Sequence, residues 1–353
     1  MRYLALEKCS VGMVLGKDIY ARNGTVLFKC GVVLDQNHID SLEVLGYPGI
    51  YLDDDFSKEI QINDIVSSET RIAASMAVKE LYDNIKRMKV SGTSQVISNI
   101  KTIVENIVSQ VYGATTPVAS VISSKIASSY TYQHSADVAV LSIILGKELN
   151  FTQEQSAQLG RAAIFHDIGK AQVQGNIIEK PDKLTLEEIR EVQKHPELSY
   201  LLVKNFLCQP DDICEGCLLH HERFSGHGYP KGLSGEQIPI FSRIIAVADA
   251  YDAIISNRSY RKAIAASEAY EYIALNAAGQ FDPTVVEVFV RKIAPYPVGS
   301  SVRLNNGRIG VVAENYADHI TLPRVKLEKN SQQDSEYINL STDPSGTFII
   351  EAV

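Results

Sequence analysis

The chain has 353 residues, 45% hydrophobic and 22% charged, which excludes collagen-like, disordered and disulfide-scaffold classes and leaves room for two domains. A formal charge of −8 argues against affinity for nucleic-acid polymers, which needs many Lys and Arg residues to neutralise phosphates. An odd set of five cysteines, charged residues at Glu7 and Lys8, and the lack of a long apolar run predict a cytoplasmic protein with no membrane span.

Residues 1–56 read as a small β-rich module. Asn23-Gly24, between Ile19-Tyr20-Ala21 and Val26-Leu27-Phe28, is a dipeptide suited to a tight hairpin turn, and Asp53-Asp54-Asp55 closes the module as a solvated loop. Residues 57–116 turn helical, with Ile97, Ile100, Val104, Ile107 and Val111 at three- and four-residue steps. Two heptads are too few to require a coiled coil, so the stripe predicts packing within the chain. Its mate in a homodimer is the alternative.

Residues 117–294 read as an all-helical core. Thr185 and Glu188 have capping-box spacing, Asp282-Pro283 supplies an N-cap and a first-turn proline, and Pro239 opens another helix. Cys214-Glu215-Gly216-Cys217 lies in a helical pattern with no second CxxC, so it reads as a pair of buried thiols rather than a zinc or redox site. Residues 295–353 return to β, with Asn306-Gly307 between Val302-Arg303-Leu304 and Ile309-Gly310-Val311-Val312, and a polar loop from Glu328 to Ser335. The expected class is mainly α, an all-helical domain flanked by two small β-rich modules.

Six of the eight histidines, His134, His166, His195, His220, His221 and His227, fall in the helical middle. His166-Asp167, His220-His221 and an Asp249 embedded in Ile244-Ile245-Ala246-Val247-Ala248 make a coherent set of nitrogen and oxygen ligands for first-row divalent metals. Adjacent helical residues point about 100° apart, so His220 and His221 are placed to serve two metals. An unpaired carboxylate in the apolar run around Asp249 is costly, and a metal partner removes that cost. Lys170, three residues after Asp167, leans toward the same pocket, and Arg258 and Arg261 offer forked donors to phosphate.

His166-Asp167-Ile168-Gly169-Lys170, Lys194-His195-Pro196, His220-His221-Glu222-Arg223 and Gly228-Tyr229-Pro230-Lys231-Gly232-Leu233 follow in order. Ile244 to Ala253, Arg258-Ser259-Tyr260-Arg261 and Gln280-Phe281-Asp282-Pro283 complete a pattern that resembles the HD-GYP family over residues 117–293. The resemblance implies a helical HD-type catalytic domain holding two or three iron or manganese ions, which hydrolyses cyclic di-GMP to linear pGpG and on to GMP. Carried over by position, it implies His134, His166, Asp167, His195, His220, His221 and Asp249 as metal ligands, with Asp167 bridging. It also implies Asp167 and Lys170 as catalytic residues and Lys170, Tyr229, Asp252, Arg258 and Arg261 as substrate contacts. The Gly228-Tyr229-Pro230 loop is implied to border the site and to meet a diguanylate cyclase (GGDEF) partner.

Three-metal members carry a glutamate four residues before the first histidine; here that residue is Tyr130, a poor ligand, so a two-metal site is expected. The expected mechanism is in-line attack on phosphorus by a hydroxide bridging two metals, with Lys170 stabilising the added charge. Two rival readings are an HD phosphohydrolase acting on another cyclic or linear nucleotide and a catalytically silent cyclic di-GMP receptor or scaffold. The intact ligand set and the Gly-Tyr-Pro block disfavour both.

Overall fold

The computed structural model describes the whole chain except residues 22, 88–92, 116–117, 120–129, 174–176, 181, 257–263 and 329–335. At the N-terminal end, strands β1 (Arg2–Ala5), β2 (Val14–Leu15) and β5 (Gly49–Asp53) form an antiparallel sheet in the order β1-β5-β2. Strands β3 (Ile19–Tyr20) and β4 (Val26–Phe28) form the hairpin expected around Asn23-Gly24, with Gly24 at φ +80°. The module also contains a helix that the strand reading omitted, α1 (Gln36–Leu45). Asp35 and His38 cap its start reciprocally, and Gly46 ends it in the left-handed conformation. Leu42 of α1 packs with Leu15, Leu34, Ile50 and Leu52 in a small core of its own.

Helices then dominate: α2 (Ser68–Lys86), α3 (Thr93–Gly113), α4 (Tyr130–Glu148), α5 (Gln153–Phe165), α6 (Leu186–Val192) and α7 (His195–Leu201). They continue with α8 (Asp211–Leu219), α9 (Ile240–Ile255), α10 (Ala266–Leu275) and α11 (Pro283–Lys292). One apolar core runs through them, and α2 and α3 share it with α4, α5, α8 and α9. The stripe on α3 is spent on this packing: Ile100, Val104, Ile107 and Val111 are buried, and each contributes about 1.5–3 kcal/mol of transfer free energy. Boundary chemistry follows the sequence. Thr185 and Glu188 form a capping box on α6, and Asp282 caps α11 by accepting from Thr284 N at 2.8 Å.

The C-terminal strands β6 (Ser301–Leu304), β7 (Ile309–Glu314), β8 (Arg324–Leu327), β9 (Tyr337–Asn339) and β10 (Ile349–Ala352) form an antiparallel sheet in the order β10-β6-β7-β8-β9. Gly307 turns β6 into β7 at φ +81°, and Val302, Leu304, Val312, Val325 and Leu327 form the buried face. This sheet is tied to the other end of the chain by the bond from Tyr3 N to Gly299 O at 2.8 Å and by the Lys326–Glu59 ion pair at 3.1 Å. Among the described residues no helix is long and apolar enough to cross a membrane.

Candidate metal centre

Five histidines and two aspartates converge from α4, the end of α5, the start of α7, the end of α8 and the middle of α9. Helix α5 stops at Phe165, and His166 and Asp167 lead into a 3-10 turn, Ile168–Gln172. Gly169 brings α7 against that turn: a Cβ there would lie 2.2 Å from His195 O and 2.5 Å from Ser199 N. The Ser199 hydroxyl stitches the contact by accepting from Gly169 N at 2.8 Å and donating to His166 O at 2.7 Å. His195, the first residue of α7, is thereby held beside the His166-Asp167 pair.

The donor atoms fall into two groups, His134 with His166 and Asp167, and His195 with His220 and His221, each within 4.8 Å. Asp167 lies between them. Its Oδ2 faces His166 Nε2 at 3.4 Å and His134 Nε2 at 3.8 Å, while Oδ1 faces His195 Nε2 at 3.2 Å. Asp249 Oδ1 closes on His134 Nε2 at 2.9 Å and lies 3.9 Å from His166 Nε2. His220 and His221 fall in the same group, with ring centroids 4.1 Å apart, and the His220 ring also lies 4.9 Å from that of His166.

Four imidazoles are oriented in the same sense. The Nδ1 atoms of His166, His195 and His220 each lie 2.7 Å from the carbonyl three residues earlier, Ala163, Val192 and Cys217. His134 Nδ1 lies 2.5 Å from Asp252 Oδ2. Tying Nδ1 outward fixes the tautomer that leaves Nε2 as a lone-pair donor toward the cluster, the usual arrangement around a bound metal. His166 Nε2 and Asp167 Oδ1 are fully buried and, at these separations, make no hydrogen bond of normal geometry among the described residues.

Electrostatics agree with that arrangement. Burial pushes His195 below its ordinary value, and burial with neighbouring imidazoles pushes His220 well below and His221 down to about 3. Burial opposes charge on His166 also, but Asp167 and Asp249 outweigh it and hold that imidazole above its ordinary value. Burial likewise works against ionisation of Asp167 and Asp249; His166 and Lys170 for the first, and His134 for the second, hold them well below the carboxylate range. Mostly neutral imidazoles beside ionised carboxylates are the protonation states that a divalent cation requires, so this donor set fits a metal.

Lys170 reaches the cluster but spends its ammonium on Asp167 Oδ2, 2.5 Å away. Tyr229 stacks on His221, with centroids 4.8 Å apart and planes 25° from parallel. Asp252 requires a correction. Expected to touch substrate, it is 1% exposed and sits behind His134, because its place one turn beyond Asp249 on α9 turns it toward α4. His227 is exposed, near Ser225, and does not join the cluster. Arg258 and Arg261 lie outside the described residues, as does the side chain of Tyr130 at the first position of α4. Cys214 and Cys217 are buried free thiols directed at the carbonyls of Gln209 and Ala162.

Two residues that support the site escaped the sequence reading. Ser199 follows His195 by one helical turn, a spacing that carries no chemical signal. Glu222 directly follows the histidine pair, and burial of a carboxylate there shows only in the structure, where it is 3% exposed.

A helical bundle that buries such a cluster defines the class, a helical domain whose donor set fits a divalent metal. Residues 118–285 match the family model described as HD domain. A cyclic di-GMP phosphodiesterase of Pseudomonas aeruginosa is 39% identical over 225 residues, 64% of this chain and 54% of that one. Another, from Borreliella burgdorferi, is 30% identical over 222 residues, 61% and 58% of the two chains. The chain thus spans a little over half the length of these curated relatives. The solved structure of an HDG"Y"P protein from Bdellovibrio bacteriovorus covers 82% of this chain and 97% of its own at a TM-score of 0.50 and 15% identity, a likeness of fold.

Proposed function

We propose that this protein is a cyclic di-GMP phosphodiesterase whose metal centre is held by His134, His166, Asp167, His195, His220, His221 and Asp249. The observation that carries this reading is the position of Asp167, one oxygen toward each histidine group, with four imidazoles held so that Nε2 points inward. Two iron or manganese ions are the cofactors that this donor set suits. Bound there, such ions supply Lewis acidity and lower the pKa of water. The names of the two curated relatives support the same substrate.

The chain's own part is positioning and charge. Asp252 and the helix carbonyls hold the imidazole tautomers; Lys170, at the edge of the cluster, offsets negative charge on Asp167 and on an incoming phosphate. Tyr229 covers His221 and borders the site, where it offers a flat face to a guanine base. Arg258 and Arg261 are assigned to phosphate from the sequence pattern. Linear pGpG is the product expected of a two-metal site. In this reading residues 117–294 form the catalytic unit, the Gly228-Tyr229-Pro230 loop meets a diguanylate cyclase, and the enzyme works in the cytoplasm, where its five free cysteines stay reduced.

The test is to incubate anaerobically purified, manganese- or iron-loaded protein with cyclic di-GMP and separate the products by chromatography, with Asp167→Ala as the control. Substrate loss in the native protein alone supports the reading. Tight binding without turnover replaces it with a receptor.

A further inference from the structure

Glu222 is a buried carboxylate for which the metal centre has no use. It accepts three consecutive backbone N–H groups: Oε1 takes Lys231 N at 2.7 Å and Gly232 N at 3.1 Å, and Oε2 takes Leu233 N at 3.0 Å. Gly232 has φ +68°, so successive amides turn inward around one point and form a concave anion site. Such a nest in a phosphodiesterase would be an obvious place for substrate phosphate. Here the chain's own carboxylate fills it, so these amides serve the loop and not the substrate.

The same loop then runs back over the metal centre. Gly228 packs on the backbone of Glu222 and Arg223 so closely that a Cβ would lie 2.3 Å from Arg223 N and 2.4 Å from Glu222 Cα. Tyr229 N donates to His221 O at 3.2 Å, and the Tyr229 ring stacks on the His221 imidazole. Glu222 and His221 are neighbours in the chain. One short segment therefore carries both a metal-facing imidazole and the anchor that lays an aromatic ring across it.

We propose that Glu222 is a positioning residue that fills the amide nest of residues 231–233 and so holds Tyr229 flat over His221, setting the site's affinity for substrate. The kinetic part of this proposal rests on the cyclic di-GMP reading; the structural part does not. A carboxylate is needed because it offers acceptor oxygens to all three amides at once, whereas a carboxamide turns an NH₂ toward one side of the nest.

The chain has no tryptophan, so Tyr229→Trp places a single fluorescent reporter at the loop. Acrylamide quenching of that indole is measured in metal-loaded protein with Glu222, with Glu222→Gln and with Glu222→Asp. The expected order of protection is Glu, then Asp, then Gln, with metal content unchanged. In the Tyr229 background, Glu222→Gln should raise KM for cyclic di-GMP about 10-fold while kcat changes much less, the signature of binding lost equally from ground and transition states. Equal protection of the indole in all three proteins overturns the proposal, as does free quenching with Glu222 in place. Should Glu222→Gln fail to fold, the Asp variant against the native residue makes the same comparison. Absence of turnover in the native protein would defeat the substrate reading and leave the quenching result to judge Glu222 by itself.

Discussion

Asp252 Oδ2 lies 2.5 Å from His134 Nδ1, and both side chains are almost fully buried. The pair joins α9 to α4 and sets which nitrogen of His134 faces the cluster.

Breaking that contact should therefore act through metal rather than through substrate. Asp252→Ala is expected to weaken metal affinity about 10- to 100-fold, as loss of an outer carboxylate partner usually does. Metal retained after dialysis against graded chelator measures it. Retention equal to the native protein would show that Asp252 does not orient the ligand.

Gly169→Ala tests the contact between the turn after Asp167 and α7. The new methyl group would meet backbone on both sides, His195 O and Ser199 N, so α7 must move outward. A loss of about 1–3 kcal/mol in unfolding free energy is expected from overpacking, together with weaker metal retention as His195 shifts. Denaturant unfolding of native and variant proteins reads the first effect, and a native-like midpoint would contradict the packing described.

Acidification should destabilise the metal-free protein. His221 is held down to about 3 against an ordinary value of 6.5, and His195 and His220 are also lowered. Between the folded and unfolded values the unfolded chain binds more protons, so their contribution is present above the unfolded value and is lost as pH falls below it. Asp167 and Asp249, depressed in the folded state, lose theirs at still lower pH, in the same direction. The melting temperature of chelator-treated protein should fall from near neutrality downward, and His221→Ala should flatten the upper part of that fall. A flat native profile between neutrality and about pH 4 would refute the assignment.

Metal should raise stability by mass action. A free ion at about 100 times its dissociation constant adds about 2.7 kcal/mol to the folded state, provided the unfolded chain does not compete. Manganese titration followed by thermal unfolding should show this rise, and Asp167→Ala should remove most of it. An equal rise in the variant would mean that the ion binds elsewhere.

Much of this protein was legible in its sequence, because the relevant physics is local. Asn23-Gly24 and Asn306-Gly307 mark turns that only a few backbone shapes satisfy, Thr185 with Glu188 and Asp282-Pro283 mark helix starts, and the α3 stripe reports a buried face. Helix α1 was missed because Gln36–Leu45 is short and mostly exposed, with Leu42 its one fully buried residue, which leaves little periodic signal.

By itself the sequence supplied the donor types: histidines and aspartates carrying nitrogen and oxygen donors, in ordered blocks that fall within the residues matching the HD domain model. Only the tertiary structure decided how those donors divide, with Asp167 between two histidine groups and His220 and His221 on the same side. It also moved Asp252 from the substrate to the back of His134 and gave Glu222 the amides of residues 231–233. The physical reason is range. Caps, turns and donor types depend on neighbours within a few residues, whereas the partner of a buried carboxylate is chosen by helix packing that joins positions as distant as His134 and Asp252.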